Sequence, residues 1–181
     1  CSWLALLDLW NQGSIMATPT YTLIDSVTLG ASAASVTFSS ISATGKGDLV
    51  LVVNAFPNGG TIAGYLEVNG DTGSNYYIVN MRGDGTSASS LSTTRANFRI
   101  NVYNTYALTG QSFNSITSLQ DFAATDKHKS ILSRSNNAAT GTEAIAGRWA
   151  NTSAITSVKF FTINNSYAAG STFHLYQIVS E

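Results

Sequence analysis

Few residues in this chain could carry out acid–base or nucleophilic chemistry. The sequence contains two histidines, His128 and His174, and a catalytic triad needs a serine, a histidine and a carboxylate within mutual reach. It contains no Gly-x-Ser-x-Gly segment of the kind that presents a nucleophilic serine in hydrolases. Glu67 and Glu143 could form the carboxylate pair of a glycosidase, but nothing around them selects them over acids in solvated turns. The sequence therefore predicts no catalytic residues, and we expect a protein that is not an enzyme.

Residues 69–75, with the sequence Asn-Gly-Asp-Thr-Gly-Ser-Asn, offer several oxygen ligands for a calcium ion. A calcium site needs about six to eight such oxygens, and this segment lacks the acidic residues of an EF-hand loop. Asn-Gly and Asp near Gly are also the residues that a tight hairpin turn requires. We therefore predict a turn between strands at Ile62–Val68 and Tyr76–Met81, with no metal and no cofactor. The single cysteine, Cys1, excludes an internal disulfide and a cysteine-rich zinc site.

One basic cluster is present, formed by Lys127, His128, Lys129 and Arg134. On an extended strand Lys127 and Lys129 share one face, and Arg134 points to the other. Two compatible interpretations remain open. The lysines could protect the edge of a sheet from unwanted pairing, or the cluster could contact an acidic surface of a partner. We predict Lys127, Lys129 and Arg134 as partner-binding residues.

The composition excludes several classes of protein. The 181 residues include nine Lys and Arg and ten Asp and Glu, so that the net charge is −1. Charged residues make up 10% of the chain, against about 25% in an ordinary soluble domain, while the hydrophobic fraction is an ordinary 44%. The apolar content argues against disorder, and the lack of a basic excess argues against nucleic-acid binding. No apolar stretch is long enough to span a membrane. A net charge near zero favours association, and we expect an assembly.

The hydrophobic pattern after Pro19 predicts an all-β protein, because short apolar runs alternate with Gly, Ser, Asn and Thr clusters. Leu49–Val53 is a continuous apolar run, typical of a strand buried on both faces. Ala96–Tyr103 alternates, which places Asn97 and Asn101 outward. Gly83–Thr94 is almost free of apolar residues and predicts an exposed, mobile loop. About ten strands on one core indicate a single jelly-roll-like, two-sheet β-sandwich. The other predicted strands are Tyr21–Leu29, Val36–Ile41, Phe113–Leu119, His128–Leu132, Ala144–Trp149, Ile155–Ile163 and Thr172–Val179.

The first residues differ from the remainder of the chain. Trp3, Leu6, Leu7 and Trp10 have the spacing of one face of a helix. We assign residues 1–19 to a short N-terminal arm with this helical spacing and residues 20–181 to the β-sandwich domain. Residues 1–15 are either a leader ahead of Met16 or an apolar arm that docks on a partner or a neighbouring subunit. In the second case these four side chains are the predicted partner-binding residues, since exposed Trp and Leu would otherwise be a liability.

Several segments, taken in order, resemble small virion structural proteins of tailed bacteriophages. These are jelly-roll proteins found as capsid decoration (cement) proteins or as tail-associated proteins. The resemblance extends from about Thr20 to Val179. Ser42 stands where such proteins often carry proline, and Gln177 where glycine is common. The segments that carry the resemblance are Val36–Ile41, Leu66–Tyr77, Lys127–Ser135, Gly147–Trp149 with Ala154–Ser157, and Ala168–Tyr176.

The resemblance implies a non-enzymatic function. A decoration protein binds the major capsid protein on the outer surface of the phage head, commonly as a homotrimer at the local three-fold positions. The expected location is therefore the virion, with no nucleic-acid or membrane partner. The alternative is a tail or head-fibre module that recognises a host-surface glycan, because jelly rolls often serve as lectins. In that case the exposed aromatic residues for sugar stacking would include Tyr76, Tyr77, Tyr103 and Tyr106.

Overall fold

The computed structural model describes residues 20–44, 47–101, 110–137 and 141–179. The predicted arm with Trp3, Leu6, Leu7 and Trp10 lies outside these residues, and so do Tyr103 and Tyr106. None of the described residues lies in a helix. The strands are β1 (Tyr21–Thr28), β2 (Ser35–Phe38), β3 (Gly47–Ala55), β4 (Gly64–Val68), β5 (Tyr76–Gly83), β6 (Ala88–Arg95), β7 (Phe98–Asn101), β8 (Phe113–Leu119), β9 (Lys129–Asn137), β10 (Gly141–Trp149), β11 (Val158–Phe161) and β12 (Thr172–Val179).

The strands form two antiparallel sheets that pack as a sandwich. One sheet has eight strands in the order β1-β12-β3-β8-β9-β10-β5-β6, and the other has four in the order β2-β11-β4-β7. The predicted all-β, jelly-roll-like two-sheet fold is confirmed. Strands β8 and β12 begin and end at the predicted residues, because each is a clean alternation bounded by turn residues.

The core lies between the two sheets and is rich in aromatic side chains. The ring of Phe160 on β11 lies 5.6 Å from the rings of Tyr167 and Phe173 and 6.2 Å from that of Phe113. Such offset and tilted pairs add to the hydrophobic stabilisation of burial. Val50 points away from this core yet is only 6% exposed, so the predicted burial of β3 on both faces is confirmed for this residue.

The predicted mobile loop at Gly83–Thr94 is wrong. This segment forms the end of β5, a turn and all of β6 except its last residue, and β6 pairs with β5 over eight residues. The side chain of Asp84 closes the turn by accepting hydrogen bonds from the backbone N–H groups of Thr86 at 2.8 Å and Ser87 at 2.7 Å. An edge strand whose two faces both lie near water needs no apolar side chains. The residue composition of β6 therefore resembles that of a loop.

Two further predictions about local structure are corrected. Residues 69–75 turn the chain from β4 in the smaller sheet to β5 in the larger one, so they do not form a hairpin. Asn101, predicted to point outward, is buried, and its side-chain oxygen accepts a hydrogen bond from the backbone N–H of Gly64. The buried amide of Asn101 thus links the short edge strand β7 to β4. An alternating sequence pattern alone does not reveal this role.

Strand β1 does not alternate regularly between exposed and core-facing residues, because it contains a bulge. The register with β12 shifts between Leu23 and Asp25. Tyr21 and Leu23 consequently lie exposed on one side of the sheet, while Ile24 and Val27 pack against the core. Bulges of this kind are common at sheet edges, where they twist the strand away from further pairing.

Candidate functional site

The predicted basic cluster is divided by the fold. Strand β9 lies between β8 and β10 inside the larger sheet, so the prediction of a lysine-protected edge strand is wrong. Lys129 is 0% exposed, and its Nζ donates hydrogen bonds to the carbonyl oxygens of Ala124 at 2.6 Å, Lys127 at 3.1 Å and Thr152 at 3.2 Å. Burial lowers the pKa of Lys129 below its usual value. Its side chain links the loop before β9 to the loop after β10. It is not accessible to a partner, because it is buried.

The other two basic residues remain accessible but lie apart. Lys127 lies in the segment before β9 and forms an exposed ion pair with Asp121 at 2.7 Å. Arg134 lies on β9, exposed on the side of the sheet that faces away from the core. The prediction that Lys127 and Lys129 share an exposed face is therefore wrong, whereas Arg134 belongs to the surface described below.

Substitution of Lys129 by methionine should destabilise the protein. The three carbonyl oxygens would lose their donor in a buried site, and each unsatisfied buried polar group costs about 1–3 kcal/mol. We expect the free energy of unfolding to fall by roughly 2–4 kcal/mol, measured by chemical denaturation. Lys127→Met, which removes an exposed ion pair, should change it by less than about 1 kcal/mol. Equal effects of the two substitutions on the free energy of unfolding would contradict this structural role of Lys129.

Residues 69–75 form a structural junction between the sheets. The carboxylate of Asp71 accepts hydrogen bonds from Trp149 Nε1 at 2.7 Å, Asn75 Nδ2 at 2.9 Å and the backbone N–H of Gly73 at 2.8 Å. Burial raises the pKa of Asp71, but these hydrogen bonds outweigh it, and the pKa lies below its usual value. Protein donors thus occupy the oxygens that a calcium ion would need, in agreement with the prediction of a turn.

A second amide side chain extends this junction. Asn69 Oδ1 accepts hydrogen bonds from the backbone N–H groups of Thr156 at 2.8 Å and Ser157 at 3.0 Å, while its Nδ2 donates to Ala154 O at 2.7 Å. Asn69 has a positive φ of 52°, a conformation that asparagine tolerates better than most residues. The segment that looked most like a ligand site is therefore used to hold the fold.

The candidate catalytic groups are not brought together. His174 lies on β12 and His128 directly precedes β9, and β3 and β8 separate these two strands. Glu67 lies in the smaller sheet, whereas Glu143 is buried in the larger sheet, opposite Arg82 and Ser135 in the strand register. Within the described ranges, no three His, Cys, Asp or Glu residues form a group that could hold a metal ion.

An extended surface lies on the side of the larger sheet that faces away from the smaller sheet, and we call it the outer face. The strand register carries one row of side chains across all eight strands. Six of its eight members are apolar or aromatic, although the row lies on the side turned away from the core. From β1 to β6 the row is Leu23, Tyr176, Val50, Ser118, Leu132, Ala146, Val79 and Ser92.

Large apolar side chains stand exposed on the outer face. Leu132 and Met81 are each 54% exposed and Val79 is 46% exposed, and they lie on β9 and β5 with only β10 between those strands. Charged side chains are few there: the strands contribute Asp48, Arg134 and Arg148. Clustered exposed apolar residues mark interaction sites more often than scattered ones do. The outer face is therefore the best candidate for an interaction surface.

A shallow, open pocket lies at one end of the outer face. It has a volume of about 530 Å³ and lies where β8, β9 and β10 meet the turn between β5 and β6. The side chains of Asn114, Asn136, Arg134, Thr142 and Asp84 line it. Amide, hydroxyl, guanidinium and carboxylate groups together are suited to a ligand rich in hydroxyl groups.

Two of the tyrosines predicted for sugar stacking fall within the described residues, and they differ. Tyr76 is buried, its hydroxyl donates to Asp71 O at 3.2 Å and accepts from the backbone N–H of Val68 at 2.9 Å, and burial raises its pKa. Tyr76 is therefore unavailable to a ligand. Tyr77 is exposed on the outer face, with the guanidinium of Arg148 4.6 Å from its ring centre, a cation–π distance.

Comparison with known proteins identifies no relative: no family model, no curated protein and no solved structure matches this chain. In the part of the chain that the structure describes, no helix has the length and hydropathy that a membrane crossing requires.

Sequence reasoning missed the outer face, although its signal is present. Leu132 and Val79 each follow a buried isoleucine, Ile131 and Ile78, whereas a regularly alternating strand places a polar residue on the side that faces away from the core. In β9 the next two core-facing positions after Ile131 are Ser133 and Ser135, both buried. This inverted pattern, with serine inside and leucine outside, is the sequence signal that could have identified the surface.

Proposed function

We propose that this protein is a non-enzymatic virion structural protein, a capsid decoration (cement) protein that binds the outside of a phage head as an oligomer. The observation that carries the proposal is the outer face, a wide sheet surface with exposed apolar residues and few charges. The ordered resemblance of Val36–Tyr176 to phage decoration and tail-associated proteins supplies the class of partner, the major capsid protein. The low charge of the whole chain suits close packing of many copies, since like copies repel weakly.

The proposed mechanism is stabilisation by mass action. A protein that binds only the assembled shell lowers the free energy of that shell relative to the dissociated subunits. If each oligomer engages several capsid subunits at once, the affinity of each contact can be modest while the oligomer remains bound. A symmetric oligomer, a dimer as well as a homotrimer at a local three-fold position, would meet this condition, because each of its subunits would present the same face to the capsid.

The experiment that tests the proposal is binding of the purified protein to heads prepared without it. We expect the protein to co-sediment with the heads and to saturate at a high copy number, and we expect it to raise the temperature at which the heads lose their DNA. Absence of co-sedimentation with heads, together with binding to isolated tails, would overturn the proposal.

The second candidate function is recognition of a host-surface glycan by a tail or head-fibre module, and the shallow pocket at the end of the outer face favours it. A pocket of about 530 Å³ that Asn114, Asn136 and Arg134 line falls in the size range of small-molecule sites. A glycan screen of the full chain distinguishes the two functions. Binding that is lost in Asn136→Ala but retained in Ser35→Ala, an exposed control in the smaller sheet, would support the glycan module. No binding at millimolar sugar would reject it.

A further inference from the structure

The sandwich has four sheet edges among the described strands, and they are not equally protected. Strand β1 carries a bulge and the exposed charge of Asp25. Strands β2 and β7 are each only four residues long, and the pairing of β7 with β4 shifts register next to Gly64. Short strands, bulges and charges are the devices that keep a sheet edge from pairing with another chain.

Strand β6 has none of these devices. It is eight residues long, it pairs with β5 without a register shift, and no described strand pairs with its other side. It contains no proline, lysine or acidic residue, and its single charge, Arg95, is the last residue. Its side chains are otherwise small, apart from Leu91, so that a second backbone can approach closely. An edge of this kind is a template for strand pairing.

We propose that β6 is a self-association edge, at which two copies of this chain pair β6 against β6 in antiparallel orientation. A second copy is the occupant that the observations favour, because the net charge of −1 gives two copies little reason to repel each other. Pairing of identical strands about a two-fold axis is self-complementary, as closed dimers require. The inference goes beyond the proposed function and does not depend on it.

The side-chain pattern selects one register. Paired residues must lie on the same face of the extended sheet, so the two-fold axis must pass through a residue position. An axis at Leu91 places the two Leu91 side chains opposite each other, and each is 40% exposed in the single chain. The same register sets Ser90 opposite Ser92 and Ala88 opposite Thr94. The two Arg95 residues lie at opposite ends, so no like charges meet.

Cysteine cross-linking tests both the edge and the register. In a chain carrying Cys1→Ser, Leu91→Cys places two cysteines directly opposite each other, with Cβ atoms about 4.5–5.5 Å apart, close to disulfide distance. The matched control Ser90→Cys lies on the same strand, but its nearest copy is a diagonal neighbour at about 7–8 Å. We expect the disulfide-linked dimer of Leu91→Cys to form at least about tenfold faster under mild oxidation. Equal rates for the two chains would overturn the register.

Analytical sedimentation of the unchanged protein tests the association through β6 without introducing cysteines. We expect a dimer whose fraction rises with protein concentration and which Leu91→Lys abolishes. Ser130→Lys, which adds the same charge at an exposed position of the interior strand β9, should leave the dimer intact. A monomer at every concentration, or a dimer that survives Leu91→Lys, would overturn the proposal. Loss of the dimer in Ser130→Lys as well would show that the copies meet through the outer face instead.

Discussion

Val79→Asp combined with Leu132→Asp should abolish binding to phage heads while leaving the fold intact. The two side chains lie in the same row of the outer face on β5 and β9, with Ala146 of β10 between them. If the outer face contacts the capsid, both new carboxylates become buried in the contact without a partner, and each such unpaired charge costs several kcal/mol. We expect at least about 100-fold weaker binding in a co-sedimentation assay.

The matched control places the same charges on the opposite side of the sandwich. Ser35 and Thr37 are exposed on β2 of the smaller sheet, and Ser35→Asp with Thr37→Asp adds the same number of carboxylates to the exposed face of that strand. This control should bind heads as the unchanged protein does. Both double variants should unfold within a few degrees of it, because exposed substitutions usually change stability by less than about 0.5 kcal/mol each. Loss of binding in the control alone would move the contact to the smaller sheet.

Asp71→Ala should lower the free energy of unfolding strongly. It removes the acceptor of the buried Trp149 indole and of two further donors, Asn75 and Gly73. Hydrogen bonds to a charged group contribute about 1.5–3 kcal/mol each when measured by substitution, and they are not additive. We expect the free energy of unfolding to fall by about 3 kcal/mol in chemical denaturation. The control Asp126→Ala removes an exposed carboxylate and should have little effect.

The same carboxylate predicts how stability depends on pH. The pKa of Asp71 is lower in the folded protein than the value of about 3.9 in an unfolded chain. The contribution of Asp71 to the free energy of unfolding is therefore complete above about pH 4, and it is lost as the pH falls through the pKa of the folded protein. In Asp71→Asn the free energy of unfolding should decline less steeply below about pH 4 than in the unchanged protein. Parallel pH profiles of the two proteins would contradict the role assigned to Asp71.

The class of fold could be predicted because the pattern that indicates a strand lies within each short segment of the sequence. Strands such as β8 and β12 alternate between apolar and polar residues and end at turn residues, and this pattern alone predicts a half-buried strand. Strand β6 could not be predicted in the same way. Its residues are nearly all polar because both of its faces lie near water, and only the ladder of hydrogen bonds to β5 makes it a strand.

The candidate site was harder to predict because it depends on contacts between distant residues. Lys129 has the sequence context of an exposed lysine, yet carbonyl groups from residues 124, 127 and 152 surround its Nζ. Arg134, five residues later, is exposed as predicted. Whether a charge is buried depends on which loops pack against it, and spacing along one strand carries no information about that. The roles proposed for Trp3, Leu6, Leu7 and Trp10 stay predictions.

We propose that this protein decorates the outside of a phage head, and imaging of the virion would locate it directly. Electron cryo-microscopy, combined with counting of copies against the major capsid protein, locates the chain and gives its stoichiometry. We expect many copies in symmetric positions on the outer surface of the head, with the outer face of the eight-stranded sheet against the capsid subunits. A handful of copies, or density for the sandwich only on the tail, would contradict it.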